Sequence, residues 1–177
     1  LALSFEAIAA ARGAPVAEAA ELARELETRF AGLEALEASL ERAWGHIRAR
    51  QGQHAAGLAR LRKAESLYRE TGMRSVANYV GYEIVELRLD AEAAPPWDDI
   101  ERLGDGFSYQ LATLRARAHA RDGNFVAATS ALEEARLRGH DLWTPADQLL
   151  LERFRSGLVM ANNRQDSGHG NRSAGMN

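Results

Sequence analysis

Apolar side chains recur at every third or fourth position along most of this chain, a spacing that places them on one face of an α-helix. The clearest stripe consists of Ala55, Leu58, Leu61, Ala64 and Leu67. A second stripe consists of Phe125, Ala128, Leu132 and Ala135. Strand-like alternation is brief and β-branched residues are scarce, so the pattern predicts an all-α chain.

Glycines and prolines divide this helical pattern into pairs of helices. Gly52 and Gly123 each stand between two apolar stripes and predict tight turns. Pro95-Pro96 predicts a break, because a proline disfavours the α conformation in the residue before it. The predicted helix hairpins cover residues 1–30, 33–70, 73–103 and 107–138.

A final helix is predicted over residues 145–160, completing one domain of residues 1–161. Thr144 suits its N-cap and Pro145 its first position, while Asp147 follows three residues after the cap, as in a capping box. Residues 162–177 are rich in Asn, Ser, Gly and Arg and have little to bury. We predict that they form a flexible polar tail.

One pattern of small residues occurs three times along the chain. The first copy consists of Trp44-Gly45, the turn at Gly52, and Gly57 with Leu61. The last copy consists of Ala116, the turn at Gly123, and Ala128 with Leu132. Between them, Val80-Gly81 begins a middle copy, whose second helix Pro95-Pro96 would interrupt.

This pattern resembles the tetratricopeptide repeat, a helix–turn–helix unit of about 34 residues, over roughly residues 33–140. The repeat's first aromatic position and its terminal proline are not reproduced. The resemblance implies a right-handed superhelical stack of antiparallel hairpins, an α-solenoid with a concave groove. It also implies that Gly45, Gly81 and Ala116 let paired helices approach closely. Arrays of this kind suggest that the chain is part of a larger bacterial regulatory or signalling protein.

By the same resemblance, the first helix of each hairpin lines the groove. The positions concerned are Ser39, Arg42, His46 and Arg50; Ser75, Asn78, Tyr82 and Glu86; and Gln110, Thr113, Arg117 and Arg121. We take Arg42, His46, Arg50, Asn78, Tyr82, Arg117 and Arg121 as the candidate binding residues. Two of the three sets are basic, which favours an acidic or C-terminal peptide held by arginine–carboxylate hydrogen bonds. The predicted function is therefore a non-catalytic protein- or peptide-interaction module.

Charge and composition argue against several classes of partner and site. The net charge of −3 lacks the basic excess of a protein that binds phosphate backbones, which argues against nucleic acid. No apolar run approaches the ~18 residues of a membrane span, and we expect a cytoplasmic protein. Cysteine is absent, phosphate-binding and catalytic motifs are not found, and no two histidines share a helical face. We therefore predict no metal and no cofactor, and the oligomeric state stays open.

Three other functions remain open from the sequence. A ligand- or peptide-sensing domain would need an aromatic-lined cavity, for which Trp44, Tyr79 and Tyr82 are candidates. An RNA-binding helical repeat would lose affinity steeply as the salt concentration rises. An enzyme would need converging polar groups with shifted pKa values.

Overall fold

The computed structural model describes residues 12–103 and 108–169. These residues contain helices and no strands, which confirms the all-α prediction. The eight α-helices that lie wholly within these ranges are α1 (Val16–Arg29), α2 (Glu34–Arg50), α3 (His54–Glu70), α4 (Arg74–Ala91), α5 (Trp97–Arg102), α6 (Ser108–Arg121), α7 (Phe125–Arg138) and α8 (Pro145–His169). No helix in this part of the chain is long and apolar enough to cross a membrane.

The chain divides into two compact units. The first comprises Leu1–Ala93 with Arg102–Gly104, and the second comprises Ala94–Glu101 with Asp105–Asn177. In the first unit, α1 packs on α2, α2 on α3, and α3 on α4. In the second unit, α6 packs on α7 and α7 on α8. Apart from the short α5, helices that follow one another within each unit are thus neighbours in space.

The turns of the repeated pattern are closed in the same way. Gly52 and Gly123 have φ angles of 77° and 75°, a left-handed conformation that glycine adopts without a steric penalty. At the first turn, the Gln53 amide donates to the Arg48 carbonyl at 2.9 Å, and at the second the Asn124 amide donates to the His119 carbonyl at 2.9 Å. These bonds satisfy helix-end carbonyls in the manner of a Schellman motif. Both predicted turns are confirmed.

Helices α2 and α3 approach each other at two glycines. A Cβ atom on Gly57 would lie 2.8 Å from the Gly45 carbonyl oxygen, and one on Gly45 would lie 2.7 Å from Cγ of Leu61. The prediction of close approach is confirmed here. At Gly81 it is wrong, because an added Cβ would meet Cδ2 of Leu103 at 3.4 Å and Oε1 of Glu65 at 3.5 Å, which are ordinary contacts between side-chain atoms and the new Cβ.

The predicted contact residues lie in the two cores. Leu61 and Ala64 are fully buried in the first unit, in a cluster formed by α2, α3 and α4. Leu132 and Ala135 are fully buried in the second, where α6, α7 and α8 share a cluster. A separate apolar cluster joins α1 to α2, and it contains Trp44.

The last helix begins as predicted but is longer. The Thr144 amide donates to Asp147 Oδ2 at 2.8 Å, and the Asp147 amide donates to Thr144 Oγ1 at 3.3 Å. This reciprocal pair is a capping box. The helix continues to His169, beyond the end predicted near Met160, so residues 162–169 of the predicted tail are helical. Of the predicted tail, residues 170–177 lie outside the described part, as do residues 1–11 of the first predicted hairpin.

Candidate functional site

A buried carboxylate on α4 joins the two helices that the sequence assigned to one groove. The Glu83 side chain is only 3% exposed. Arg42 of α2 donates from Nε to Glu83 Oε2 and from Nη2 to Oε1, both at 2.7 Å. This two-pronged geometry gives the strongest form of the arginine–carboxylate hydrogen bond. Arg42 and Glu83 therefore fix α2 and α4 relative to each other.

His46 adds a second group on the same carboxylate. Its Nε2 atom lies 3.2 Å from Glu83 Oε1, an ion-pair distance, but it is not aligned for a hydrogen bond. Burial raises the pKa of Glu83, but the opposing effects of His46 and Arg42 are together larger. The net result is a pKa lowered from 4.5 to about 2. Glu83 is therefore ionised at neutral pH, and it is neither a proton donor nor a general base there.

Arg12 reaches the carboxylate from the solvent side. Its Nη1 atom lies 3.3 Å from Glu83 Oε1 and donates to the Tyr79 hydroxyl at 3.4 Å. The Arg12 side chain is 44% exposed, whereas that of Arg42 is 9% exposed. The Arg42 guanidinium lies over the Tyr79 ring, 5.1 Å from its centroid. We call Arg12, Arg42, His46, Tyr79 and Glu83 the Glu83 cluster.

Two further contacts surround the Glu83 cluster. Arg50, at the end of α2, donates from Nη2 to the Ala14 carbonyl at 2.6 Å. The short segment that carries Arg12 is thus held by Arg12 and Arg50 together. Deeper in the unit, the hydroxyls of Ser39 and Tyr68 share a buried hydrogen bond of 2.9 Å.

The predicted binding residues occupy different environments. Arg42 and His46 meet at Glu83, Tyr82 is buried, and Asn78 is exposed one turn before it on α4. Arg117 is half-buried and Arg121 is exposed, both on α6 in the second unit.

The sequence did not identify Glu83 and Arg12 as candidate site residues. Glu83 follows Tyr82 and lies one helical turn after Tyr79, so helical spacing alone places it on the same side of α4 as Tyr79. Arg12 lies 67 residues before Tyr79, and no local pattern could have paired them. The Arg42 guanidinium, which the sequence suggested for a partner's carboxylate, makes its hydrogen bonds within the chain.

A polar cluster of the second unit lies around the start of α8. The Tyr109 hydroxyl donates to Asp147 Oδ2 at 2.7 Å. Burial and this hydrogen bond raise the pKa of Tyr109 to about 12. Because Asp147 also closes the capping box, this cluster ties α6 to the first turn of α8. The hydrogen bonds of Tyr109 and Asp147 thus have a structural role, which is to hold these two helices together.

Neither cluster resembles a metal centre. In the described ranges, no three His, Cys, Asp or Glu side chains lie close enough together to hold a metal ion. Trp44, a candidate cavity wall, lies in the apolar cluster between α1 and α2. Tyr79 lies against Arg42 instead. The first unit thus contains a charged, largely buried cluster that joins α2 to α4, with Arg12 as its most exposed member.

Comparison with known proteins gives no relative: no protein-family model matches the chain, and no curated protein or solved structure is similar to it.

Proposed function

We propose that this chain is a non-catalytic interaction module that binds a peptide, or a segment of another protein, along the face formed by α2 and α4. In this proposal the hairpins form a tetratricopeptide-like superhelical stack. The module would belong to a larger bacterial regulatory or signalling protein in the cytoplasm. The glycine-mediated approach of α2 and α3 and the matching turns at Gly52 and Gly123 support the repeat assignment.

The observation that carries the proposal is the Glu83 cluster. Its members come from α2, from α4 and from the segment before α1, and hydrogen bonds hold Arg42 and Glu83 in fixed geometry. A face whose polar groups are already ordered loses little side-chain entropy when a partner binds. Asn78 and Arg50 are exposed beside it, where a bound segment could reach them.

A peptide selection with a matched pair of variants tests the proposal. Random peptides displayed on phage are selected on the full chain, and the affinities of selected peptides are measured by fluorescence anisotropy. Asn78→Trp places a bulky ring on the proposed face, whereas Ser66→Trp places the same ring on exposed α3. We expect Asn78→Trp to weaken binding at least tenfold and Ser66→Trp to leave it unchanged. Equal effects of the two variants would contradict the proposal.

An acidic partner remains the proposed class from the sequence, and a second measurement addresses it. Arg42 is engaged with Glu83, so the test uses the exposed Arg50 at the end of α2. A labelled peptide of alternating Glu and Ser is titrated with wild type and with Arg50→Ala. Weaker binding to the variant would support an acidic partner, and equal affinity would remove Arg50 from its site.

A further inference from the structure

We infer that the second unit carries a separate docking surface for a peptide segment with acidic and apolar side chains, formed where α7 ends and the chain turns into α8. The surface consists of Arg136, Leu137, Leu142 and Trp143, and we call it the α7 end surface. It lies in a different unit from the Glu83 cluster, so the inference goes beyond the proposed function and does not depend on it. The partner would present leucine-like side chains next to an aspartate or a glutamate.

Two leucines of the α7 end surface are unusually exposed for large apolar side chains. Leu137 is 85% exposed and Leu142 is 53% exposed. A single exposed leucine is ordinary, but a group of apolar side chains rimmed by polar groups is typical of an interaction site. The chain turns back at Gly139, so that the Arg136 guanidinium lies over the Trp143 ring, 5.9 Å from its centroid. Because Leu137 follows Arg136 and Leu142 precedes Trp143, the two leucines lie at the same end of the unit.

Hydrogen bonds and packing hold the turn that carries these leucines. The Gly139 amide donates to the Ala135 carbonyl and the Leu142 amide donates to the Gly139 carbonyl, both at 2.8 Å. Gly139 packs so closely on Tyr109 that an added Cβ would lie 2.7 Å from Cγ of the ring. The Trp143 ring is partly buried against the core of the second unit. An ordered segment therefore presents the leucines, and such a segment loses little entropy when a partner covers it.

The arginine of the surface specifies the charge of the partner. The Arg136 guanidinium turns its flat face to the Trp143 ring, and its N–H donors lie in its own plane, away from the stacked face. Within residues 12–103 and 108–169, no carboxylate pairs with this exposed guanidinium. A carboxylate of a partner can accept two parallel hydrogen bonds from it, the strongest form of this contact. The leucines on either side would then pack against apolar side chains of the same partner.

The nearest acidic side chains on either side of Arg136 in the sequence already contact other groups of the chain. Glu134 Oε1 lies 2.6 Å from Arg138 Nη2, and Asp141 Oδ1 lies 2.9 Å from His140 Nδ1. A single arginine beside leucines does not suit a nucleic acid, whose backbone is bound by several cations. The combination suits a peptide that carries both acidic and apolar side chains.

Binding of a designed peptide to the full chain tests the inference. The probe is a fluorescein-labelled peptide with three copies of Glu-Leu-Leu-Asp, and its control peptide has Gln and Asn in place of Glu and Asp. Fluorescence anisotropy measures the affinities of both peptides for wild type, Arg136→Gln and Leu137→Gln/Leu142→Gln. We expect wild type to bind the acidic peptide about fivefold more tightly than the control peptide, and Arg136→Gln to abolish this preference. The leucine double variant should bind both peptides about tenfold more weakly.

Matched variants separate a local effect from a general one. Arg24→Gln removes the same charge from an exposed position of α1, and Val126→Gln removes an exposed apolar side chain from the other end of α7. Neither should change the affinity for the acidic peptide, and because these side chains are exposed the substitutions leave the fold intact. Asn78→Trp should also have no effect, so the α7 end surface and the proposed function stand or fall separately.

Three results would overturn the inference: no binding of the acidic peptide, an unchanged preference for it in Arg136→Gln, or unchanged affinities in the leucine double variant. Sedimentation of the full chain provides a further check. If wild type dimerised and the leucine double variant did not, the surface would bind a second copy of the chain, and the inference of an acidic peptide partner would also be overturned.

Discussion

Arg42 and Glu83 form a buried, doubly hydrogen-bonded ion pair between α2 and α4, with both N–H···O distances at 2.7 Å. The residues are 41 positions apart in the chain. Breaking such a pair from one side leaves a charge in a poorly solvated place, whereas removing both charges together does not. The pair therefore contributes to the geometry of the face and makes it sensitive to single substitutions.

Arg42→Ala is expected to lower the free energy of unfolding by about 3–5 kcal/mol, because Glu83 would stay buried without its main partner. Urea unfolding at pH 7, followed by circular dichroism, measures the change. The exposed Arg121→Ala is the matched control and should change stability by less than about 0.5 kcal/mol. The double variant Arg42→Met/Glu83→Leu should recover most of the loss. A loss below about 1 kcal/mol for Arg42→Ala would contradict the structural role of the pair.

Lowering the pH should reduce the free energy of unfolding, because Glu83 becomes protonated. Its pKa is lowered in the folded state from 4.5 to about 2. The stabilisation from the ionised carboxylate is therefore complete above about pH 4.5 and is lost as the pH falls toward 2. The pKa difference corresponds to about 3 kcal/mol. Urea unfolding of wild type and Glu83→Gln between pH 2.5 and 6 should show a stability gap that narrows across this window, and a constant gap would contradict the assignment.

The core positions and turns that depend on local spacing could be predicted from the sequence. Leu61 and Leu132 were placed in the core because apolar stripes recur with helical spacing, and both are fully buried. The turns at Gly52 and Gly123 followed from glycine's freedom to adopt positive φ. These features need only a few neighbouring residues to be recognised.

Features that depend on distant partners were not predictable in the same way. The sequence put Arg42 among the candidate groove residues, but its partner Glu83 lies on another helix and was not foreseen. The close approach expected at Gly81 was not found, because its nearest neighbours are side-chain atoms of Leu103 and Glu65 at ordinary contact distances. Composition also placed the end of α8 too early, near Met160 instead of at His169.

Two glycines of the repeated pattern should respond oppositely to alanine. Gly57→Ala places a Cβ 2.8 Å from a backbone oxygen of α2, so the helices must separate, and we expect a loss of about 1–3 kcal/mol. Gly81→Ala meets only ordinary contacts, and the better helix propensity of alanine should add about 0.5–1 kcal/mol. Thermal and urea unfolding of the two variants provide the comparison. Changes of the same sign would contradict the described packing of α2 on α3.

The capping box of α8 should account for a measurable part of the second unit's stability. Thr144→Ala removes an N-cap side chain that accepts from the Asp147 amide, and such changes cost about 1 kcal/mol. Thr144→Ser keeps the hydroxyl and should remain within about 0.5 kcal/mol of wild type. Urea unfolding of the full chain measures both. Equal stability of the Ala and Ser variants would show that the cap contributes nothing.

Ala128 tests the helical register of the second unit. Its side chain is fully buried where α7 meets the core shared with α6 and α8. Ala128→Glu would place a carboxylate in that apolar cluster without a basic partner, at a cost of several kcal/mol. The exposed Ser130→Glu, two residues later on α7, introduces the same charge without burial. We expect Ala128→Glu to lose much of the helical circular dichroism of this unit at 25 °C, while Ser130→Glu melts like wild type. Because the two substitutions differ mainly in the face of α7 that they occupy, an unchanged melting temperature for Ala128→Glu would contradict the packing of α7.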